Sequence, residues 1–156
     1  MGKVRLVRPT VPAVRYIAHH LRDADVQELR AVHGDDLDPV DCLQVAVDSS
    51  EEVWIAITDA GEPFAVFGVA PLSLLGGEGC PWMLGTDVML RHGRDIVVLS
   101  RQHVARWGQR YDCLFNYVDA RNLRSIAWLR HTGFVIGPAQ PYGLEGRPFH
   151  RFERCT

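Results

Sequence analysis

The chain has 156 residues, of which 47% are apolar and 23% are charged, and its formal net charge at pH 7 is -2. A chain of this length and apolar content can form one hydrophobic core, so we expect a single domain over residues 1–156. The charge balance excludes a uniform basic field, so nucleic acid and membrane surfaces are not expected partners, whereas a small molecule or a protein is.

The four cysteines are Cys42, Cys80, Cys113 and Cys155. They lie far apart and show neither the paired spacing of a zinc site nor the density of a secreted disulfide framework. We therefore expect reduced thiols and no metal. Charged residues and prolines interrupt every apolar run near the start, so neither a signal peptide nor a membrane span is expected, and a cytoplasmic location is.

The first half of the sequence predicts one strand followed by helices. Val4 to Arg8 alternates as a strand does, and Thr10 provides a hydroxyl cap for a helix start. Apolar stripes then predict two short helices, or one bent helix, up to Gly34. Asp38-Pro39 repeats the cap pattern and predicts the start of a third helix.

The middle of the chain predicts strands. Val53 to Thr58 and Pro63 to Ala70 flank residues with turn chemistry, as in a hairpin. Pro81 to Met89 predicts a further strand, interrupted at Gly85. A glycine inside a strand often marks a bulge or a close approach of another group, so Gly85 is a position to inspect.

The second half predicts alternating helices and strands. The predicted elements are a helix over Asp95–Arg110, a strand over Cys113–Val118, a helix over Asn122–Thr132, a strand over Phe134–Ile136, a loop over Gly137–Arg147 and a strand over Pro148–Glu153. This order predicts an α/β protein of the α+β kind, in which helices cover a mixed sheet.

The segment from Asn122 to Phe134 carries a recognisable pattern. An asparagine follows a strand, a small residue lies three positions on, and the helix ends in Gly-Phe. Individually, Asn122 is explained as a helix cap, Gly133 as a C-cap and Phe134 as a core residue. In the order strand, loop, long helix, strand, Asn and Gly-Phe, the second half of the chain resembles the N-acetyltransferase (GNAT) superfamily, through Asn122, Ser125, Gly133 and Phe134.

The resemblance implies a fold and an activity. The fold is a mixed, mainly antiparallel sheet with splayed central strands and helices on both faces, built by one acyltransferase domain over residues 1–156. The activity is transfer of an acetyl group from acetyl-CoA to an unknown small-molecule or peptide amine, with no metal. The splayed strands would be those containing Pro81–Met89 and Cys113–Val118, and Asn122 and Ser125 would lie beside the pantetheine arm.

The family's pyrophosphate loop has the pattern Gln/Arg-x-x-Gly-x-Gly/Ala, and only Gly93 of this chain fits it. The implied cofactor-binding residues of this segment are Val88, Met89, Leu90, Arg91, Gly93, Arg94 and Asp95. As a helix cap, Asp95 would occupy the amides that receive the pyrophosphate and would repel that anion. Arg91, Arg94 and a protonated His92 offset this charge. The altered loop therefore predicts weak or absent acetyl-CoA binding.

The catalytic residues that the resemblance implies are also altered. Leu129 stands where many GNAT enzymes have a tyrosine that protonates the leaving thiolate, and leucine cannot do so. Asp87, on the first splayed strand, and His92, in the loop, are the candidate bases for the amine, because proton transfer needs a group within hydrogen-bond reach. An aspartate in the position of Asp87 is more often a strand-end or loop-capping carboxylate than a base.

A second resemblance supports an alternative function. The residues that carry it are Pro81-Trp82, Thr86-Asp87, Tyr111-Asp112, Leu114, Asn116-Tyr117-Val118, Asn122, Ile126, Leu129 and Gly133. They are similar to a group of phage and prophage proteins with a GNAT-like fold, among them internal virion proteins of short-tailed phages. On this alternative the protein is non-catalytic, is part of the virion and binds phage structural proteins. Trp82, Tyr117 and Trp128 are then contact anchors, or else aromatic core.

Overall fold

A seven-stranded sheet organises the computed structural model, which describes residues 3–73 and 75–156. The elements are β1 (Arg5–Val7), α1 (Val11–His19), α2 (Asp23–His33), α3 (Pro39–Ser49), β2 (Glu52–Ile57), β3 (Pro63–Pro71), β4 (Glu78–Gly85), a 3-10 helix (Asp87–Arg91), α4 (Gly93–Trp107), β5 (Cys113–Asp119), α5 (Leu123–Thr132), β6 (Val135–Tyr142) and β7 (Arg147–Cys155). The strand order is β1-β2-β3-β4-β5-β7-β6. Neighbouring strands are antiparallel except β4 and β5, which are parallel.

The helices cover the sheet on both faces, as predicted. On one face, α1 and α3 pack against Ile55 and Val66. On the other, α4 and α5 pack against Phe67, Leu114 and Phe152. Each strand contributes residues alternately to the two faces because successive strand side chains point to opposite sides of the sheet.

The helices of the first half begin where their caps predict. Thr10 Oγ1 accepts a hydrogen bond from the Ala13 N–H at 3.3 Å, and Asp38 Oδ1 accepts one from the Val40 N–H at 3.0 Å. Of the two predicted arrangements before Gly34, the structure has two separate helices, with Arg22 in extended backbone at their junction.

Strand β4 ends before the predicted boundary at Met89. Its last residue is Gly85, and the Thr86 hydroxyl accepts the Val88 N–H at 3.2 Å, which starts the 3-10 helix. Asp87 therefore does not lie on a splayed strand, and that placement was wrong. The hydroxyl of Thr86 stops the strand because it offers the next amides a partner outside the sheet.

Two further boundaries differ from the prediction. Helix α4 begins at Gly93 rather than Asp95 and ends at Trp107. Strand β6 continues to Tyr142, where a loop from Gly137 was predicted. Its prolines are tolerated because β6 is the edge strand of the sheet, where one side of the backbone has no strand partner.

The expectation of four reduced thiols is corrected for two of them. Cys113 and Cys155 form a disulfide, whereas Cys42 and Cys80 are free. The register of β5 against β7 places the two bonded cysteines directly opposite each other. The two cysteines are 42 residues apart in the sequence, and this spacing does not indicate that they pair. Within residues 3–73 and 75–156, the helices are too short or too polar to cross a bilayer.

Candidate active site

Strands β4 and β5 separate soon after they meet. Their register contains only the pairs Glu78↔Cys113 and Gly79↔Leu114. Beyond them, Pro81 has no N–H to offer a neighbouring strand, and its carbonyl accepts a hydrogen bond from Asn116 Nδ2 at 3.0 Å. A side chain thus replaces the sheet ladder, and a gap opens between the two strands.

The backbone of Met83 faces this gap. The Gly85 carbonyl accepts the Arg22 N–H at 2.9 Å, and the Gly85 N–H donates to Asp25 Oδ2 at 3.0 Å, so Gly85 points away from β3. In an antiparallel pair the backbone groups alternate between the two sides, so Met83, two residues earlier, points the same way. Within residues 3–73 and 75–156, β5 is not paired with β4 at Met83 and no side chain accepts the Met83 N–H, so this N–H can donate to a ligand oxygen.

A cavity of about 710 Å³ is continuous with the gap. Its lining includes Leu29 and Val45 from the α2 and α3 side, and Ile96 and Leu129 from the α4 and α5 side. Residues of both helical layers line one cavity, so the gap connects the two faces of the sheet. A cavity of this size holds a small-molecule ligand.

The first two turns of α2 span the open end of the gap. Asp25 binds the end of β4 through the Gly85 N–H. One turn later, Glu28 Oε1 accepts the Asp119 N–H at the end of β5 at 3.0 Å. The same oxygen accepts Asn122 Nδ2 at 3.0 Å. Helix α2 therefore joins the strands across the opening and forms one wall of the cavity.

Arg22 links this wall to α5. Its guanidinium forms a two-point hydrogen bond with Asp25, at 2.8 and 3.2 Å, and donates to Ser125 Oγ at 3.3 Å. It also lies over the Trp128 ring, with 5.1 Å to the ring centroid. Arg22 and Asp25 are both buried, so the pair is screened little by solvent and holds the start of α2 in place.

Glu28 is the acid of the site whose proton affinity is most suited to proton transfer. Burial raises its pKa to about 7, and the charges of Asp25 and Asp119 add to this effect, whereas the bonds from Asn122 and the Asp119 N–H oppose it. Both of those bonds use Oε1. Glu28 lines the cavity and can exchange a proton with a ligand near neutral pH.

Aromatic side chains form a second wall beside Glu28. The rings of Tyr117 and Tyr142 stack with centroids 4.1 Å apart, and Phe149 lies 5.3 Å from Tyr142. Phe149 stands opposite Asp119 in the β5–β7 register, which brings this wall next to the strand end that Glu28 binds. All three rings line the cavity.

The start of α4 has amides without intrahelical partners. Its cap residue is His92, which makes no side-chain cap bond, and the first backbone bond runs from the Ile96 N–H to the His92 carbonyl at 2.9 Å. The predicted capping role of Asp95 is therefore wrong. Asp95 lies in the first turn with its carboxylate 4.0 Å from His92 Nδ1 and does not occupy the amides.

Arg91 and Arg94 are exposed at this helix start, and His92 stacks on Phe64 at 5.1 Å. His92 Nδ1 is buried and has no hydrogen-bond partner among the described residues. The free amides, the helix dipole and two guanidinium groups together favour an anion here.

Of the site residues predicted from the sequence, Met89 and Ser125 line the cavity. The remaining residues of the predicted loop are Val88, Leu90, Arg91, His92, Gly93, Arg94 and Asp95, and they form the 3-10 helix and the first turn of α4. That turn meets the cavity at Ile96. Asp87 is exposed and does not line the cavity, and Asn122 turns its amide to Glu28 instead of lining it.

The cavity takes in the three aromatic residues named as contact anchors. Trp82, Tyr117 and Trp128 are partly buried and line it. Trp82 Nε1 is held by Ser50 Oγ at 2.8 Å. The rings thus belong to an internal surface.

The residues that sequence reasoning missed lie in the first half of the chain. Arg22 precedes α2, and Asp25 and Glu28 follow it at intervals of three positions within the helix, beside the apolar stripe that contains Leu29 and Val32. Charged residues at helical spacing next to an apolar stripe were the available signal, whereas their burial is visible only in the structure. Nothing in the sequence indicates that they face β4 and β5, because both strands lie far along the chain.

Solved structures of other proteins have a fold similar to that of this chain. Spermidine N-acetyltransferase from Vibrio cholerae, in complex with CoA and spermine, superposes with a TM-score of 0.72 at 11% identity, over 97% of this chain and 95% of that one. The GNAT-family acetyltransferase from Bacillus anthracis gives a TM-score of 0.72 at 8% identity, over 99% and 96%. The chain has the GNAT fold.

A third similar structure, ribosomal-protein-alanine N-acetyltransferase from Brucella melitensis, has a TM-score of 0.71 at 14% identity and covers 97% of this chain and 99% of its own. At such identities the likeness concerns the GNAT fold alone. Neither a protein-family model nor a curated protein sequence matches the chain. The gap between β4 and β5 corresponds to the splayed strands that the GNAT resemblance of the second half of the chain implied.

Proposed function

We propose that the protein is an N-acetyltransferase that transfers an acetyl group from acetyl-CoA to an amine, with residues 1–156 acting as one acyltransferase domain. The observation that carries this proposal is the opening between β4 and β5, which leads into the cavity and presents the free Met83 N–H. Structures with the same fold include N-acetyltransferases that act on spermidine and on ribosomal-protein alanine.

The residues of the chain fit acetyl-CoA at two places. The unpartnered amides at the start of α4, with Arg91, Arg94 and the unpaired His92 Nδ1, fit a pyrophosphate. The gap, with Ser125 and Leu129 on its α5 side, fits an extended arm. Asp95 does not cap the helix, so its carboxylate leaves the amides available to the pyrophosphate. Its negative charge still weakens binding of that anion.

Bound acetyl-CoA supplies the activated acetyl group as a thioester. The Met83 N–H is suited to donate to the carbonyl oxygen of that group, where negative charge develops during attack. Helix α2 and the aromatic wall exclude water and hold the acceptor against it. Asp87, exposed and away from the cavity, has no geometric support as the base.

Calorimetry with acetyl-CoA tests the proposal. We expect a dissociation constant on the order of 10–100 µM. The double variant Arg91→Ala/Arg94→Ala should bind roughly tenfold more weakly, because charge-assisted bonds to phosphate are lost. Arg15→Ala/Arg30→Ala removes two exposed arginines from other helices and is the matched control. Absence of binding at millimolar acetyl-CoA would contradict the proposal.

The alternative, a non-catalytic virion or assembly protein, stays a prediction from the sequence. The similar structures named above are enzymes and carry no information on phage proteins. The same calorimetry separates the two functions, since a virion protein needs no acetyl-CoA site.

A further inference from the structure

The α2 side of the cavity combines a largely buried carboxylate that has no cationic partner among the described residues with aromatic faces. Asp25 is neutralised there by Arg22, and Asp119 by Arg121 at 2.7 Å. Glu28 is largely buried and has no cationic partner among the described residues, whereas Asp41 of α3, which also lines the cavity, is exposed to solvent. Trp82, Tyr117, Tyr142 and Phe149 contribute aromatic rings to the lining.

We propose that this half of the cavity binds a cationic monoamine with an apolar body, and that Glu28 takes the ammonium proton before the amine attacks. The inference rests on the proposed function and adds to it the class of acceptor and the base. The Oε2 of Glu28, which has no hydrogen-bond partner among the described residues, attracts the ammonium, and an outer face of the stacked Tyr117 and Tyr142 rings stabilises a cation that has left water.

The charged and titratable groups around Glu28 favour this exchange. Asp25 and His33 share its helix, Asp41 of α3 also lines the cavity, and Asp119 and Arg121 lie at the end of β5. Burial and the neighbouring acids keep the pKa of Glu28 near 7. Burial also raises the pKa of Tyr142, so its phenol stays neutral and does not compete as a base.

The amine loses two protons during acetyl transfer. Glu28 Oε2 accepts one proton from the ammonium, and the freed nitrogen lone pair forms a bond to the thioester carbon. The carbon–sulfur bond breaks, and the thiolate of CoA leaves with that electron pair. The attacking nitrogen releases a second proton, which solvent carries to the thiolate, and Glu28 returns its own proton to solvent. The products are the amide, CoA thiol and one proton.

The first experiment measures kcat/KM against pH with acetyl-CoA and phenethylamine. We expect the wild-type profile to rise through an apparent pKa near 7. Glu28→Gln should lower kcat/KM by roughly 100-fold and abolish that rise, because general-base catalysis is lost. Asp23→Asn, at an exposed acid of the same helix, should leave the profile unchanged. An unchanged profile in Glu28→Gln would overturn the assignment of the base.

The second experiment measures binding of phenethylamine to the CoA-loaded protein by calorimetry, which needs no turnover. Binding should tighten between about pH 6 and pH 8 in the wild type as Glu28 ionises, but not in Glu28→Gln. Tyr117→Ala should weaken it roughly tenfold by removing a cation–π face. Equal binding in all three proteins, or no binding, would overturn the inference. Because CoA is titrated separately, failure here is distinguishable from failure of the acetyl-CoA site.

Discussion

Gly85 lies where β4, α2 and the 3-10 helix meet. As the last residue of β4, it forms backbone hydrogen bonds with Arg22 and Asp25 at the start of α2. A Cβ atom at this position would lie 2.0 Å from Met89 Sδ and 2.7 Å from the Phe64 carbonyl oxygen. The Met89 side chain can move, whereas the Phe64 backbone cannot move without disturbing β3. The glycine is thus required by close approach, as its place inside a predicted strand indicated.

We predict that Gly85→Ala lowers the free energy of unfolding by roughly 1–3 kcal/mol, the usual effect of overpacking a rigid site. Chemical denaturation measures the change. Gly93→Ala is the control, because its Cβ would come no closer than 3.9 Å to Trp128 Nε1. Equal stability of Gly85→Ala and the wild type would show that the backbone at this junction can relax.

Glu28 also couples the site to stability. Its folded-state pKa of about 7 lies above the ordinary value of 4.5, so the folded state binds the proton more tightly and loses stability as pH rises from 4.5 through 7. The loss amounts to about 3 kcal/mol. Glutamine keeps the acceptor oxygen for Asn122 and carries no charge.

Glu28→Gln should therefore be more stable than the wild type at about pH 8, by roughly 1–3 kcal/mol, and equally stable near pH 4. Denaturation at the two pH values checks this difference. A variant that is less stable at pH 8 would mean that the carboxylate is held by contacts stronger than its desolvation. Together with lost activity, the gain would mark Glu28 as a residue kept for function.

At the scale of elements, the docking of α2 onto the end of β4 depends on Arg22 and Asp25. Asp25→Ala leaves a buried guanidinium and the Gly85 N–H without their acceptor, and we expect a loss of roughly 3–5 kcal/mol. Arg22→Ala/Asp25→Ala removes both charges and should cost less than the sum of the single variants. Additive losses in thermal or chemical unfolding would mean that the pair does not act as a unit.

The attachment of α4 to β2 depends on Glu52. Burial opposes its ionisation, but bonds from Trp54 and Arg106 and the charge of Arg106 outweigh burial and lower its pKa to about 2. A depressed pKa stabilises the fold above about pH 4.5, and this contribution is lost as pH falls towards 2.

Glu52→Gln should accordingly lose about 1–2 kcal/mol at neutral pH, a value reduced because half-exposed arginines are screened. Near pH 2 the variant and the wild type should unfold alike. Acid titration followed by circular dichroism measures the difference, and Arg147→Gln, at an exposed pair on β7, is a comparison. A difference that is constant with pH would exclude titration of Glu52 as its cause.

At the scale of the whole molecule, acetyl-CoA should stabilise the fold because the site proposed for it joins both helical layers through the sheet. A concentration 100-fold above the dissociation constant adds about 2.7 kcal/mol, or roughly 5–11 °C in Tm for a chain of this size. Pantetheine, which lacks the pyrophosphate, should give a much smaller shift in differential scanning fluorimetry. Equal Tm shifts for the two ligands would mean that contacts in the gap, and not contacts of the pyrophosphate with the start of α4, provide the binding energy.

Local signals in the sequence predicted the elements well where a cap or a period sets them. Thr10, Asp38 and Asn122 each accept an amide of the helix they begin, and Gly133 ends α5 in the left-handed region. The prediction failed where a boundary depends on neighbours. The carboxylate of Asp95 predicted a helix start at that residue. The 3-10 helix that precedes α4 ends at Arg91, however, and α4 begins at Gly93.

The sequence by itself determined the mixed sheet with helices on both faces and the GNAT resemblance of the second half, because periodicity, caps and a local motif depend on residues close together in the chain. The tertiary structure decided which strands separate, how α2 closes the gap, and that Glu28 meets Asn122 across 94 positions. It also decided the Cys113–Cys155 bond through the β5–β7 register. Contacts between distant segments depend on how the helices pack on the sheet, and no local pattern in the chain encodes that packing.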